Sequence, residues 1–267
     1  MKESLGRRIG VGATAEIYEY QENLVIKLFN QDRTEYMVKE EYDCLKAIQA
    51  VGIKVPYVGD MVKIGERFGY QMEYLKGSNM LDCLINPEYN PVELIQRFTQ
   101  LQYQIHQFKN VEIRNGKEWL KCRISWAKEL EEEDKQELYR YLSQLPDGNV
   151  ICHNDFHPGN VILTDSGDYI IDWCDVTYGC AMMDVARTWL VFNVDSLPPD
   201  SSEELKAINA GRNALGELYL SEYMKLSGMS IEKIIAWLPV VAASRLFCES
   251  EASKQLLLHI IRHGINI

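Results

Sequence analysis

The spacing of apolar residues changes once along this chain, and that change constrains the fold more than any other feature. Through Leu75 they alternate as strands do: Leu5–Ile9, Glu16–Tyr20, Leu24–Phe29, Met61–Gly65 and Gly69–Leu75 all read with a period of two. One helix interrupts them. Over Glu35–Ala50, Val38, Leu45 and Ile48 fall at i, i+7 and i+10, one face of a 3.6-residue period. Lys76-Gly77-Ser78-Asn79 breaks the pattern, and helical spacing dominates afterwards. The expectation is a bilobal α+β chain. A small antiparallel-sheet N-terminal lobe with one helix takes residues 1–77, and a larger, mainly helical C-terminal lobe takes 78–267.

In the second lobe, helix 91–108 opens at Pro91, a residue favoured in first turns, with a stripe of Leu94, Phe98, Leu101 and Ile105. His106 follows that stripe and reads as packed and hydrogen-bonded. Glu118–Leu145 reads as one long amphipathic segment, and Met182–Val191 as a further apolar one. After a Ser-Leu-Pro-Pro-Asp linker at 196–200 come three helices, near 202–226, 231–247 and 249–263. Ser230 is a plausible N-cap and Gly264 a plausible C-terminal cap.

Composition excludes several classes of partner. No apolar run approaches the ~20 residues of a membrane helix, and no secretory h-region follows Met1, so a cytoplasmic location is expected. Seven scattered cysteines without a C-x-x-C pair suggest neither a disulfide framework nor a zinc site. The net charge is −11, of which −1 falls in residues 1–80 and −10 in 81–267. That excess would repel a phosphate backbone, so nucleic acid is an unsuited partner, and it would attract a cationic substrate to the second part.

The chemistry concentrates in Val150–Asp175, VICHNDFHPGNVILTDSGDYIIDWCD. Val161-Ile162-Leu163 and Tyr169-Ile170-Ile171 flank Thr164–Asp168, five turn formers, which predicts a hairpin. In that register Leu163 faces Tyr169, Val161 faces Ile171 and Asn160 meets Asp172. Opposed residues lie roughly 5 Å apart at Cα, close enough to share one hard cation. Asp155, five residues before Asn160, adds the further carboxylate that phosphoryl transfer uses.

Upstream, Gly10 and Gly12 in Gly10-Val11-Gly12-Ala13-Thr14-Ala15 would let backbone amides approach a phosphate, although most such turns are plain hairpins. Val25-Ile26-Lys27 ends the next strand, so Lys27 could reach phosphate oxygens as a point charge. On the helix, Glu41 shares the apolar face with Val38 whereas Glu40 is turned about 100° away. A carboxylate facing an apolar interface needs a partner, which makes Glu41 the expected mate of Lys27.

These parts, in this order, resemble the protein-kinase-like superfamily and within it the aminoglycoside phosphotransferase and choline kinase-like branch. Gly10-x-Gly12-x-x-Ala15-x-Ile17, the V-x-K strand, the helix glutamate, H-N-D-F-H-P-G-N and I-I-D-W all fall in register over residues 6 to about 190. The resemblance implies Asp155 as the catalytic aspartate that orients the acceptor hydroxyl and takes its proton. It implies Asn160 and Asp172 as ligands of Mg2+, and Gly10, Gly12, Thr14, Lys27 and Glu41 as the nucleotide's phosphate site. Glu73 to Leu75 would be the hinge that meets the purine of ATP or GTP. Asp184 would brace the catalytic loop, with His153 and His157 as scaffold. Asn154 stands where many aminoglycoside kinases carry glycine, and asparagine tolerates left-handed backbone. Trp173-Cys174 replaces the Phe-Gly of protein kinases, and no A-P-E segment follows, so protein substrates are disfavoured.

The implied reaction moves the γ-phosphate of ATP or GTP to a hydroxyl of a small, cationic molecule, as aminoglycoside kinases do. A choline, amino-alcohol or sugar kinase of the same fold, or a regulatory nucleotide-binding pseudokinase, are the alternatives. Asp175, Glu249 and Glu251 are candidate contacts for an ammonium group, and plain exposed acids otherwise. Trp126, Trp189 and Trp237 could line an acceptor pocket, although amphipathic helices usually bury tryptophan in the core.

Overall fold

A computed structural model of the chain describes residues 5–12, 14–109, 111–194 and 203–263, in the last span with side chains from Gly211 onward. The first half runs β1 (Arg8–Val11), β2 (Ala15–Gln21), β3 (Leu24–Phe29), α1 (Glu35–Ala50), β4 (Val58–Ile64), β5 (Arg67–Glu73), β6 (Ser78–Asn79), α2 (Met80–Ile85), α3 (Pro91–Ile105), α4 (Gly116–Ser125) and α5 (Glu132–Gln144). There follow β7 (Val150–Cys152), a 3-10 turn (Pro158–Asn160), β8 (Val161–Thr164), β9 (Gly167–Ile170), β10 (Thr177–Gly179) and α6 (Ala181–Asn193). The chain continues with α7 (Glu203–Ser227), α8 (Ile231–Ile235), α9 (Leu238–Ala243), a second 3-10 turn (Leu246–Cys248) and α10 (Glu251–His263). The linker expected at 196–200 and the cap expected at Gly264 lie outside the described residues.

Two compact units emerge, and their boundaries differ from the expected division at residue 77. The first unit is Met1–Asp82 together with Gly159–Cys174; the second is Cys83–Pro158 with Asp175–Ile267. Backbone pairing explains the difference. Ser78 and Asn79 pair with Leu163 and Ile162, and the Ile170 amide donates to the Lys54 carbonyl at 3.1 Å. The β8–β9 hairpin therefore folds with the first unit.

Within the first unit, five antiparallel strands lie in the order β1-β2-β3-β5-β4. The central β3 buries Val25, Ile26, Leu28 and Phe29. Helix α1 starts at Thr34, whose side chain accepts from the Met37 amide, and it buries Val38, Leu45 and Ile48 as its period requires. It packs on β4 and β5. A Cβ at Gly69 would run into the Lys27 carbonyl, so glycine is what lets β5 close on β3 beside that lysine.

A second sheet of the unit has the order β6-β8-β9. Its hairpin corrects the expected register: Val161 faces Ile170, Ile162 faces Tyr169, Leu163 faces Asp168 and Thr164 faces Gly167. Only Asp165 and Ser166 remain in the turn. Gly167 adopts φ +115°, and the Thr164 hydroxyl bonds its carbonyl at 2.7 Å. Three of the five turn formers, Thr164, Gly167 and Asp168, thus serve in the ladder. Asn160 accordingly meets Ile171, whose amide donates to the Asn160 carbonyl at 3.0 Å.

In the second unit, α3 packs on α7, and α6 packs on α7 and α9. The α3 face is partly polar: Thr99 and Gln102 are fully buried with Ile95 and Phe98, while Leu101 is only half-buried. The segment Glu118–Leu145 is two helices rather than one. Amides of Trp126 and Ala127 bond the Arg123 and Ile124 carbonyls at 3.1 Å, closing α4, and α5 begins only at Glu132. Ala127 and Leu130 stay buried through the turn, so the apolar face continues where the helix does not. The helix expected over 231–247 is likewise broken, because Pro239 fits only a first turn and α9 restarts there. Ser230 is the N-cap of α8. Among the described residues no single helix is long and apolar enough to cross a membrane.

Candidate active site

Two carboxylates of the first unit converge on Lys27. Its Nζ lies 2.7 Å from Glu41 Oε1 and 3.7 Å from Asp172 Oδ1. The same Glu41 oxygen accepts from the Tyr70 hydroxyl at 2.8 Å, Tyr70 being the cross-strand neighbour of Lys27. Glu40 instead bonds the Tyr36 hydroxyl on the exposed side of the helix. Burial works against the charge on Lys27, but Tyr70, Glu41 and Asp172 outweigh it and hold the ammonium well above the usual lysine range. A small cleft lined by Lys27, Glu41, Tyr70, Met72, Asp172 and Trp173 opens beside the pair.

Asp172 holds a left-handed backbone, φ +62°, and its carboxylate stays 43% exposed. Asn160 is buried at the end of the 3-10 turn that leads into β8. One carboxylate and one amide are the kinds of group that could hold Mg2+, which takes one or two carboxylates and completes its shell with water and phosphate oxygens. Among the described residues no group of three or more His, Cys, Asp or Glu makes an all-protein cage.

The glycine-rich turn is a β1–β2 hairpin in which Gly10 faces Ile17. The Gly12 amide is already committed to the Ala15 carbonyl at 2.8 Å, and the Thr14 carbonyl accepts from Asn30. Glu73 ends β5 with its amide on the Tyr57 carbonyl at 2.8 Å and its carboxylate on the Tyr57 amide at 3.1 Å. Leu75 is half-buried between the exposed Tyr74 and Lys76, outside any strand.

In the second unit, Asp155 sits on a loop whose backbone is fastened by one face of α6. Asp184 Oδ2 accepts from the His153 amide at 3.0 Å and Oδ1 from the Asn154 amide at 2.6 Å. Three residues on, Arg187 Nε donates to the Asn154 carbonyl. Thr188 donates to the Phe156 carbonyl at 3.0 Å. Positions i, i+3 and i+4 share a helix face, so one turn of helix supplies an acceptor and two donors to the loop backbone at His153, Asn154 and Phe156, on both sides of Asp155. Asn154 adopts φ +61°, and its Nδ2 bonds the Asp175 carbonyl and Thr177 Oγ1, each at 2.9 Å. Phe156 anchors the loop by stacking on Phe98 at 4.4 Å. His153 Nδ1 accepts from the Asp155 amide at 3.2 Å, and His157 Nε2 lies 3.7 Å from Asp155 Oδ2. His106 bridges Asp184 at 3.0 Å and the Tyr223 hydroxyl at 2.6 Å.

The Asp155 carboxylate remains 30% exposed. Burial would raise its pKa, but Arg187 first, then His157, His153 and Arg245, hold it below the ordinary aspartate value. Burial likewise opposes the charge on Asp184, and the His106 hydrogen bond leads the groups that lower it.

The model of the phosphotransferase enzyme family matches residues 6–219, most of the chain. The chain belongs to that family. No curated protein matches this phosphotransferase in sequence. Solved structures share its fold at low identity. An aminoglycoside 3'-phosphotransferase of type VIII aligns with a TM-score of 0.62 at 17% identity, covering 89% of this chain and 91% of its own. A protein assigned as a fructosamine-3-kinase from Haemophilus somnus 129PT gives 0.63 at 15%, covering 98% and 92%. An amicoumacin kinase solved in complex with AMP-PNP, Ca2+ and Ami gives 0.58 at 16%, covering 98% and 88%. The fold is thus one shared with these small-molecule kinases, and the family match makes the protein a phosphotransferase.

The acids singled out as acceptor contacts in this phosphotransferase are largely committed elsewhere. Asp175 lies 3.1 Å from Arg123 and 3.7 Å from Arg187, and Glu249 is held by Arg245, whose Nε donates at 2.7 Å. Those two charges are compensated by arginines one side chain away, which spacing in the sequence cannot reveal. Glu251 is an exposed acid paired with Lys254 at 2.8 Å. Trp237 and Trp189 are core, whereas Trp126 is half exposed and packs edge-on against Phe247 at 5.0 Å. Sequence reasoning missed Tyr70, Arg187 and Arg123. The only signal for Arg187 was its place in Asp184-x-x-Arg187-Thr188, one turn beyond the bracing aspartate.

Proposed function

We propose that this phosphotransferase transfers the γ-phosphate of ATP or GTP to a hydroxyl of a small molecule, with Asp155 receiving the hydroxyl proton. The observation that carries this reading is Lys27, locked between Glu41 at 2.7 Å and Asp172 at 3.7 Å. A lysine kept charged beside a partly open carboxylate is suited to phosphate oxygens that also bind a metal. The amicoumacin kinase of like fold was solved in complex with AMP-PNP and Ca2+, which supports the same reading. Mg2+ held through Asn160 and Asp172 would neutralise charge on the β- and γ-phosphates.

Lys27 would grip the phosphates while Glu41 and Tyr70 fix its ammonium. Gly10 to Thr14 would cover them, and the stretch Glu73 to Leu75 would meet the purine. The acceptor oxygen forms a bond to the γ-phosphorus as the bond to the β-phosphate oxygen breaks, the nucleoside diphosphate leaves with that electron pair, and the hydroxyl proton passes to Asp155. Little covalent chemistry falls to the protein, so orientation and charge supply most of the acceleration.

For the acceptor, the charge of −11 favours cations in the surroundings. The pairing of Asp175 and Glu249 with arginines argues against these two as ammonium anchors. The reading is therefore a kinase of small hydroxylated molecules, aminoglycosides among them, acting in the cytoplasm. The test is a phosphate-transfer screen over aminoglycosides, choline, sugars and amino alcohols with ATP and with GTP, run beside Asp155→Ala. Transfer by the wild type with loss in Asp155→Ala, at preserved nucleotide binding, is expected. Undiminished transfer in Asp155→Ala sinks the role of Asp155, and nucleotide binding with no phosphorylated product favours a regulatory pseudokinase.

A further inference from the structure

Helix α6 touches the catalytic loop through a residue that no expected motif includes. Arg187 is 4% exposed. Its Nε donates to the Asn154 carbonyl, while its Nη2 lies 3.7 Å from Asp155 Oδ1 and 3.7 Å from Asp175 Oδ2. Its Nη1 is buried with no hydrogen-bond partner. The guanidinium lies 5.4 Å from the Trp119 ring, and Arg123, which pairs with Asp175, lies 4.8 Å from the same ring. One cation is thereby fixed to the loop backbone, to the carboxylate ahead of it and to a second, independently anchored carboxylate.

We propose that Arg187 is a positioning residue for phosphoryl transfer, holding the Asp155 carboxylate ionised and aimed by tying it to Asp175 and to the loop backbone. The proposal rests on the reading of Asp155 as the group that receives the acceptor proton. A guanidinium suits the task because it keeps its own proton throughout and presents a rigid fork, whereas a lysine offers a point charge. Other groups also face Asp155: His153 and His157 from its own loop, and Arg245, whose charge is shared with Glu249. Asp184 lies beneath the same loop, on its amides. Arg187 stands first among those that favour the carboxylate.

The test uses the full chain with whichever acceptor of the screening panel turns over, and it reads kcat, the KM for ATP and the acid limb of the pH profile. A base must be deprotonated, so activity falls as pH drops through its pKa, and loss of a neighbouring cation moves that limb upward. Arg187→Gln is expected to lower kcat on the order of 100-fold, as misplacement of a reacting group does. It should leave the KM for ATP unchanged and move the acid limb up by about one pH unit. Arg187→Lys should return the limb towards wild type without recovering kcat. Asp175→Asn should lower kcat without moving the limb upward.

Titration of the Asp155 carboxyl by carbon NMR reads the same shifts without any acceptor. An unmoved limb in Arg187→Gln, or wild-type kcat in Arg187→Lys, overturns the proposal, and the lysine variant decides alone if the glutamine one does not fold. Asp155→Asn separates the two readings. If it is inactive, such results count against Arg187 only; if it is fully active, the reading of Asp155 fails first.

Discussion

Glu41 Oε1 accepts two hydrogen bonds, from Lys27 and from Tyr70, and the second makes the ion pair more than a two-body contact. Tyr70→Phe should leave the ion pair with one donor fewer, costing about 1 kcal/mol in thermal unfolding and raising the KM for nucleotide. An unaltered melting temperature and KM would remove Tyr70 from the site. Asn154 offers a second residue-scale test, because its left-handed backbone and its Nδ2 bonds are separable. Asn154→Gly keeps the backbone and loses the bonds; Asn154→Ala loses both. The alanine variant should be the less stable by roughly 1–2 kcal/mol, and equal melting of the two would show that the conformation costs nothing. At this scale the sequence disclosed Lys27 with Glu41, because a carboxylate on an apolar helix face needs a nearby cation. Tyr70 and Arg187 stayed hidden for a different reason. Tyr70 is one more residue of an alternating strand, and α6 is buried on nearly every side, so its periodicity marks no special face.

Elements tell a similar story about what local pattern can carry. The bounds of α1 follow from its period and from Thr34 as N-cap, both local properties. The β8–β9 register does not, since composition names the turn formers without saying which two stand outside the ladder, and one residue's slip exchanges every cross-strand partner. The break between α4 and α5 was equally illegible, because the buried side of the segment continues across it. Helix α6 carries the sharpest element-scale prediction. Asp184 has a folded pKa below its ordinary value, so its contribution is fully present above the unfolded carboxylate value of about 3.9 and is lost as pH falls through the depressed one. Asp184→Asn has one acceptor oxygen for two loop amides and should cost roughly 2–4 kcal/mol near pH 7. Its stability should also vary less with pH in the acid range than that of the wild type. Parallel acid titrations of the two proteins by circular dichroism would discredit this account.

For the whole molecule, the change of hydrophobic spacing near residue 77 revealed two units, yet it could not assign Gly159–Cys174 to the first of them. That assignment rests on pairings more than 80 residues apart in sequence, Ser78 with Leu163 and Asn79 with Ile162, which no window of local pattern spans. A chain of residues 1–82 alone lacks β8, β9 and Asp172, so it should melt at a lower temperature than one in which 159–174 is joined on by a flexible linker. It should also lack measurable affinity for ATP. Equal stability and binding of the two chains, by calorimetry, would show that the hairpin is dispensable to the unit.

The same interleaving bears on how relatives of this protein could exchange parts. Because the first unit is built from two separate stretches, a single crossover near residue 82 would transplant Lys27 and Glu41 while leaving Asn160 and Asp172 with the recipient. Chimeras that carry both stretches from one parent should keep function more often than those split at a single point. Recombination would thus treat the proposed phosphate site as two linked inheritances rather than one.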